Sequence, residues 1–596
     1  MPASRRALIA AIPTDRLVQL NGLRLGYGVE RDVQLRMPDG VELAASLYLP
    51  RRREGKLATI LVRLPYGRLA YGEALNAAEH FAGLGYAVLV EDLRGTHGSG
   101  GELLPYRGAM SDGAATLDWI AAQPWSNGRV GTYGCSALGE TQYVLARTHH
   151  PALRAMAPQG AGGAIGSAAH RYAYFGLWEG GIFQLASGFG WFDEDGASDP
   201  HTPPAAPFDT ASAVRGLPVA GLVRRQRPFR NGYDEFMRLP LGDPAWHDLG
   251  YLADDDRIAT PTFEVTTWGD QTVGDTLALD AQLRRPIDGK PAPERHLVVA
   301  PGTHCHERET GETGRFGDIS VPHADAPWQA WYDRWFDHWL RDRGDGLAAL
   351  PAIRYYMIGE GRWLDAPSWP PPAAQVQRWY LDGGGRANGS AGDGVLAPTP
   401  PVQFAHDDYV HDPNAPVPSR GGPFCCTGNP ADRPGPIDQK DVEGRPDVLV
   451  YTSRPLAAPL RIAGPLKATL RFASSAPDTD VVARLTDVWP DGHATNIQEG
   501  ALRARYRTGI ATPALLQPGE PVTLSVDMRS IGYTLPAGHR LRLDIASSSF
   551  PRLERNLGTG RDNLHETEVI VARNRVLHGP GEPSYVELPL LPAATD

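Results

Sequence analysis

Val130-Gly131-Thr132-Tyr133-Gly134-Cys135-Ser136-Ala137-Leu138-Gly139 reads as a strand, a turn of small residues and the start of a helix. A serine at such a turn is held at the rim of a sheet, its hydroxyl exposed and its backbone strained. Gly134 and Gly139 lack side chains, so strand and helix can approach closely across the turn. The helix that follows begins with unpaired N–H groups and a partial positive charge, which suit a developing oxyanion. The pattern is G-x-S-x-x-G rather than the commoner G-x-S-x-G. A purely structural strand-turn-helix is the alternative it leaves open.

Around this segment, strand-like and helix-like runs alternate. Val41 to Leu49 begins with strand-type alternation. Thr59 to Arg63 and Ala87 to Val90 are short apolar runs of the buried-strand kind, and Arg129 to Tyr133 and Leu153 to Pro158 are two further strands. Glu73 to Leu84 has helical spacing, Ser111 is positioned to cap a helix carrying Leu117 and Ile120, and Leu138 to Ala146 is a further helix. Such a rhythm predicts a mostly parallel sheet with helices on both faces. Residues 160–250 interrupt it with glycines and aromatics, then a Pro/Ala stretch from His201 to Phe208, as a helical insertion would. Two more strands follow, Thr262 to Thr267 and His296 to Ala300. Trp328, Trp331, Trp335 and Trp339 then mark one stripe of a helix packed on the core. Beyond about residue 350 short strand-like runs separated by turns dominate, such as Lys467 to Phe472 and Val522 to Met528. The expected fold is therefore α/β. An α/β-hydrolase catalytic domain spans 1–158 and 250–348, a helical cap is inserted at 159–249, and an all-β domain, read as a two-sheet sandwich, occupies 349–596.

The bulk properties narrow the function. A chain of 596 residues is too long for one core. With 42% apolar and 21% charged residues it is an ordinary globular composition, and the formal net charge of -11 disfavours nucleic acid and anionic membrane as partners. No apolar stretch of about 18 residues is present, so no membrane span is expected. The short run Ala7 to Ile12 after Arg5-Arg6 reads as a first turn or helix rather than a signal peptide. Four cysteines, Cys135, Cys305, Cys425 and Cys426, are too few in this length to be a disulfide framework, and the adjacent pair is a poor one for an ordinary disulfide. No metal-ligand spacing is evident, so no cofactor is expected, and the cytoplasm is the default compartment.

A serine hydroxyl needs a base to act as a nucleophile. In α/β-hydrolases the chain order is Ser, then an acid, then His. Asp270 follows the strand from Thr262, and His304 follows the strand His296 to Ala300. Ser136, Asp270 and His304 thus all stand at the carboxyl ends of predicted parallel strands, where such sheets place their sites. His306 is a rival base two residues on. Asp275 is a rival acid, placed in the following helix.

These residues, with others along nearly the whole chain, make the sequence resemble the cocaine esterase and Xaa-Pro dipeptidyl-peptidase group of α/β-hydrolases. The group's elbow is G-x-S-Y-x-G; here Ala137 replaces the tyrosine. Early matching runs are Arg63-Leu64-Pro65-Tyr66 and Asp92-Leu93-Arg94-Gly95 leading to Gly98 through Glu102. Late ones are Thr479-Asp480 to Asp487-Val488, Asp491-Gly492, Arg503 through Arg507, and Gly538-His539-Arg540 through Phe550-Pro551-Arg552 to Asn556 through Gly560. The resemblance implies that the all-β domain at 349–596 is a jelly-roll and that an oxyanion hole is made by the Tyr66 hydroxyl and the N–H of Ala137. It also implies a small-molecule ester or amide substrate cleaved through an acyl-enzyme. An Xaa-Pro dipeptidyl-peptidase and an acyltransferase are the alternatives on this scaffold, and a binding module on an inactive scaffold is the non-enzymatic one. Oligomeric state is left open, a homo-oligomer included.

Two departures concern substrate. Related α-amino acid ester hydrolases carry acidic residues just beyond the catalytic Asp, whereas here Gln271-Thr272-Val273 follow Asp270. A free-amine site would need a residue such as Glu179, which otherwise reads as a solvated charge. Phe175, Trp178 and Trp268 are candidate substrate contacts. Arg94 is expected to be structural, and the arginines at 503–507 and 552–555 are expected to form ion pairs between the sandwich and the catalytic domain.

Overall fold

A computed structural model describes residues 21–593 apart from 23, 25, 198–207, 228, 288 and 430. The expected first helix at 7–12 and most of the Pro/Ala stretch 201–208 lie outside the described residues. A ten-stranded sheet carries the catalytic half. In chain order its strands are β1 (Tyr27–Arg36), β2 (Glu42–Pro50), β3 (Leu57–Leu64), β4 (Ala87–Asp92), β5 (Ser126–Cys135), β6 (Leu153–Gln159), β7 (Thr262–Gly269), β8 (Arg295–Thr303), β9 (Ile353–Met357) and β10 (Arg362–Ala366). The spatial order is β1-β2-β4-β3-β5-β6-β7-β8-β9-β10. From β4 to β9 every neighbouring pair is parallel. The antiparallel strands β1, β2 and β10 occupy the edges.

β3 and β4 are buried along their whole length, which is why they read as continuous apolar runs rather than as alternation. Helices α1 (Gly72–Gly83) and the tryptophan-rich helix Trp328–Arg341 pack on one face around Phe81, Tyr133, Trp335 and Phe336. Helix Ala109–Ala122 and helix Val273–Leu283 cover the other, with Leu117, Ile120 and Leu279. Ser111 does not cap its helix. Gly108, at φ 70°, takes that place, and the Ser111 hydroxyl donates back to the Gly108 carbonyl. The left-handed turn needed there starts the helix earlier than the side-chain signal.

Between β6 and β7 the chain leaves the sheet. It forms a two-stranded hairpin at Trp178–Glu179 and Ile182–Phe183, the helix Leu185–Asp195, and helices of four or five residues. Their core is aromatic, with Phe183, Phe189, Trp191, Phe192, Tyr233, Phe236 and Trp246 buried together.

The hairpin β9–β10 falls in the stretch expected to begin the sandwich, yet it extends the catalytic sheet: Leu297, Val298 and Val299 of β8 pair with Ile353, Arg354 and Tyr355. These two strands join the sheet with no helix between them. After them comes an all-β unit of eleven hydrogen-bonded strands. Its apolar interior is continuous with one flank of the catalytic half, since Trp268, Leu297 and Tyr355 pack in the same cluster as Leu470, Leu485 and Leu543. Several of the late sequence runs form a buried polar lattice within this unit. Arg503 forks onto Asp480 and reaches Glu554, and Asn556 donates to Asp478 and Asp480.

Candidate active site

Ser136 follows β5 directly and precedes helix Ala137–Ala146, with φ 60° and ψ −130°. A side chain rarely sits at that φ, so neighbouring contacts must hold it. The Ser136 N–H donates to the Gln159 carbonyl at 2.9 Å. The N–H of Cys135 donates to Glu73 Oε1 at 3.1 Å. The two glycines are there for lack of space: a methyl on Gly134 would lie 2.5 Å from Leu138 Cβ, and one on Gly139 would lie 2.7 Å from the Gln159 carbonyl oxygen. The spacing G-x-S-x-x-G is thus a packing requirement on both sides of the serine. The Ser136 hydroxyl lies beside the Tyr66 phenol, whose oxygen accepts the Trp191 indole N–H at 3.2 Å. Burial, reinforced by Asp195, raises the Tyr66 phenol far above its ordinary pKa, so it stays a donor. The amide of Ala137 occupies the first helical position, where no intrahelical acceptor exists.

Asp270 comes immediately after β7 and is fully buried. Its Oδ2 lies 2.7 Å from His304 Nδ1. Its Oδ1 accepts the Thr272 N–H at 2.7 Å and the Thr272 hydroxyl at 2.8 Å. Burial alone would raise this carboxyl, but the imidazole and the Thr272 donors outweigh it and the net shift is downward. For His304 the balance is the mirror image. Burial lowers the imidazolium, the charge and hydrogen bond of Asp270 outweigh it, and the net shift is upward. With Nδ1 engaged, the buried Nε2 has no hydrogen-bond partner.

Two features bring the imidazole to the serine. Gly160, next to the residue that holds the Ser136 amide, lies against both partners: a methyl on it would be 2.9 Å from Asp270 Oδ2 and 3.1 Å from His304 Cε1. Cys135 and Cys305, which flank Ser136 and His304, are joined as a disulfide with Cα atoms 6.0 Å apart. The cysteines are therefore paired, contrary to the expectation from their number, and Cys425 and Cys426 are paired as well. The first bridge closes 170 residues of sequence, a proximity that only the folded sheet creates.

The rivals are placed elsewhere. His306 is exposed, with Nδ1 2.6 Å from the His304 carbonyl oxygen. Asp275 sits on its helix beside Arg171, 3.5 Å away. Arg94 is structural as expected, bound to Asp112 and Asp39. Of the candidate substrate contacts, Phe175 and the unforeseen Trp191 line a small inner cavity beside Ala137, of about 20 Å³. Trp268 is not a contact but a core residue, its indole donating to the Tyr356 carbonyl at 2.8 Å and its ring packed on Trp369. Trp178 lines a separate cleft of about 740 Å³ with Arg171, Asp275 and Tyr506. Glu179 is not a solvated charge. Arg529 and Arg552 each approach its Oε2 at 2.6 Å. The arginine runs otherwise pair mainly within the sandwich, as Arg503 and Arg505 do with Asp480 and Asp478.

Three groups near the serine left no mark in the sequence. Glu73 lies on helix α1, where a glutamate ordinarily reads as solvated. Burial pushes it up to about 7. Glu140, bonded to Tyr106, is pushed up to about 8 by burial. The third is the loop Phe424 to Thr427 from the sandwich, which lines an outer cavity of about 400 Å³ with His304 and Glu194.

Comparison with known proteins identifies the family of both halves of the chain. Residues 39–306 match the X-Pro dipeptidyl-peptidase (S15 family), and residues 345–587 match the X-Pro dipeptidyl-peptidase C-terminal non-catalytic domain. The cocaine esterase of Rhodococcus sp. (strain MB1 Bresler) is 32% identical over 586 residues, covering 95% of this chain and 99% of that protein. The chain belongs to the cocaine esterase family. As a member of that family it is a serine hydrolase acting on carboxylic esters. Among solved structures, an α-amino acid ester hydrolase superposes with a TM-score of 0.75 at 25% identity, over 95% of this chain and 97% of the other. An aminopeptidase from a marine sediment archaeon, Thaumarchaeota archaeon, shares the fold, with a TM-score of 0.80 at 23% identity over 95% and 97% of the two chains.

Proposed function

We propose that this esterase acts through Ser136 as nucleophile, His304 as general base and Asp270 as the group that orients the base, on a small-molecule carboxylic ester. The observation that carries the reading is the arrangement at one sheet rim. Asp270 holds Nδ1 of His304 and leaves Nε2 free, beside a serine fixed in a strained turn. Attack begins as the Ser136 hydroxyl turns from Tyr66 toward Nε2, a contact that often tightens only when substrate is present. Nε2 takes the proton as Oγ bonds the ester carbonyl carbon. The resulting oxyanion is received by the Tyr66 hydroxyl and the Ala137 N–H. The alcohol leaves with the proton from His304, and water, deprotonated by the same nitrogen, releases the acid from Ser136.

The inner cavity beside Ala137 is small, and the outer one is about 400 Å³. We assign the outer cavity to the bulkier part of the substrate. The Xaa-Pro peptidase alternative loses its proposed amine anchor, because Glu179 is held by two arginines. The test is a panel of aryl and alkyl esters and a dipeptidyl-proline amide, run beside fluorophosphonate labelling. Esters should turn over, the probe should label Ser136, and Ser136→Ala should lose turnover by about 10⁴-fold or more. Equal turnover in Ser136→Ala, or preference for the proline amide, would reject the reading.

A further inference from the structure

The sandwich loop at residues 424–427 reaches His304 and lines the outer cavity with two adjacent sulfurs, those of Cys425 and Cys426. On its other side the loop is clamped by the helix Leu185–Asp195, where Gly190 leaves no room for a side chain against the Cys426 carbonyl. One ligand atom from each of His304, Cys425 and Cys426 lies within 4.8 Å of the others. The imidazole is 5% exposed; Nδ1 is taken by Asp270 and Nε2 is buried without a partner. Cys425 Sγ accepts a hydrogen bond from Gln271 Nε2 at 3.3 Å, and Cys426 is exposed.

We propose that reduction of the Cys425–Cys426 disulfide creates a site for a soft divalent cation such as Zn²⁺, formed by the two thiolates and His304 Nε2. Occupancy of that site switches the esterase off. A dithiol reductant supplies two electrons and two protons to the sulfurs and becomes a disulfide itself. Metal capture then releases both thiol protons, because the thiolate is the ligand. The ligand set of two sulfurs and one nitrogen suits zinc, with a water in the fourth position. Bonds of about 2.3 Å to sulfur and about 2.0 Å to nitrogen place ligand atoms roughly 3.5 Å apart, so the two sulfurs, joined in the disulfide, must part on reduction, with the imidazole nitrogen already within 4.8 Å of them. Asp270 on Nδ1 fixes the tautomer that presents a lone pair at Nε2 and strengthens it as a ligand. Gln271 donates to Cys425 and favours its thiolate. The same Nε2 lone pair takes the Ser136 proton, so a bound cation leaves the serine without a base. That inhibitory half rests on the role of His304 proposed above, whereas the binding half does not.

The full-length enzyme, reduced with a dithiol and desalted without oxygen, is titrated with Cd²⁺ and, separately, with Zn²⁺ during ester turnover. Reduced wild-type enzyme should develop the ultraviolet thiolate-to-cadmium band with two thiolates per metal, and zinc should abolish turnover reversibly to chelator. The oxidised enzyme and the Cys425→Ser/Cys426→Ser variant, which keeps Cys135 and Cys305, should each be less sensitive to zinc by roughly 100-fold or more, scored against its own zinc-free rate. His304→Ala should weaken the cadmium band's affinity by a similar factor. The band without zinc inhibition would keep the metal site and remove His304 from its role as base. Absence of the band in reduced wild-type enzyme, or equal zinc sensitivity in the double serine variant, would overturn the proposal.

Discussion

In the proposed mechanism Tyr66 acts on the oxyanion formed at Ser136 and Asp270 acts on His304, which makes their effects separable. A phenol held far above its ordinary pKa by burial is neutral at all working pH values and so remains able to donate. Tyr66→Phe should therefore lower kcat by about 10²–10³-fold with little change in KM, measured by steady-state hydrolysis of one ester. For Asp270 the readout is pH. Its charge holds the His304 imidazolium above the ordinary histidine value of 6.5, and the base works only when neutral. The acidic limb of kcat/KM should thus lie above that value and report one proton. In Asp270→Asn the raising charge is gone while burial remains, so the limb should move to lower pH, with kcat down by about 10⁴-fold because the tautomer is no longer fixed. A limb unmoved in Asp270→Asn would detach Asp270 from His304. Ser136, Asp270 and His304 were proposed from chain order and strand ends, whereas Tyr66 came only through the family resemblance. Trp191, which touches the Tyr66 hydroxyl, was not proposed, because one tryptophan among many cap aromatics carries no sign of which contact it makes.

At the scale of one element, the elbow is a packing solution that also positions a nucleophile. Gly134 and Gly139 appear in the sequence only as small residues near a serine. Their spacing is explained by the Leu138 side chain and the Gln159 carbonyl pressed against them. Gly139→Ala would set a methyl against backbone rather than against a side chain able to move aside. It should cost about 1–3 kcal/mol, read as a lower midpoint in urea unfolding. It should also slow fluorophosphonate labelling, since the strained serine and the carbonyl it leans on shift together. Unchanged unfolding and labelling would mean the elbow has slack that its distances deny. Sequence reading placed β3 and β4 well because each holds a short apolar run. It missed the helix start at Gly108 and the sheet membership of β9 and β10, since both depend on what lies across the space and not along the chain.

Across the whole molecule, a carboxylate from the inserted segment is pinned between two arginines of the sandwich, and the catalytic sheet lies beside both. Glu179 takes Arg529 and Arg552 at 2.6 Å each; Arg529 also donates to the Gln271 carbonyl at 3.0 Å, one residue beyond Asp270. Burial would raise the Glu179 carboxyl, but the two guanidinium groups outweigh it and hold it low. Its folded value lies below its unfolded one, so its contribution to stability is present above the ordinary carboxylate pKa of 4.5 and is lost as pH falls through the folded value. Glu179→Ala leaves two buried guanidinium groups short of a partner, and breaking such a group costs about 3–5 kcal/mol. Thermal unfolding at neutral pH should therefore fall clearly in this variant, and the gap to wild type should narrow in acid, where the native carboxyl is being protonated too. A gap of the same size at both pH values would mean that the loss comes from packing alone. Because Arg529 braces the backbone behind Asp270, the variant should also lose activity at temperatures below its unfolding, and Glu179→Gln, which keeps the shape, should recover part of the stability but not the pH response.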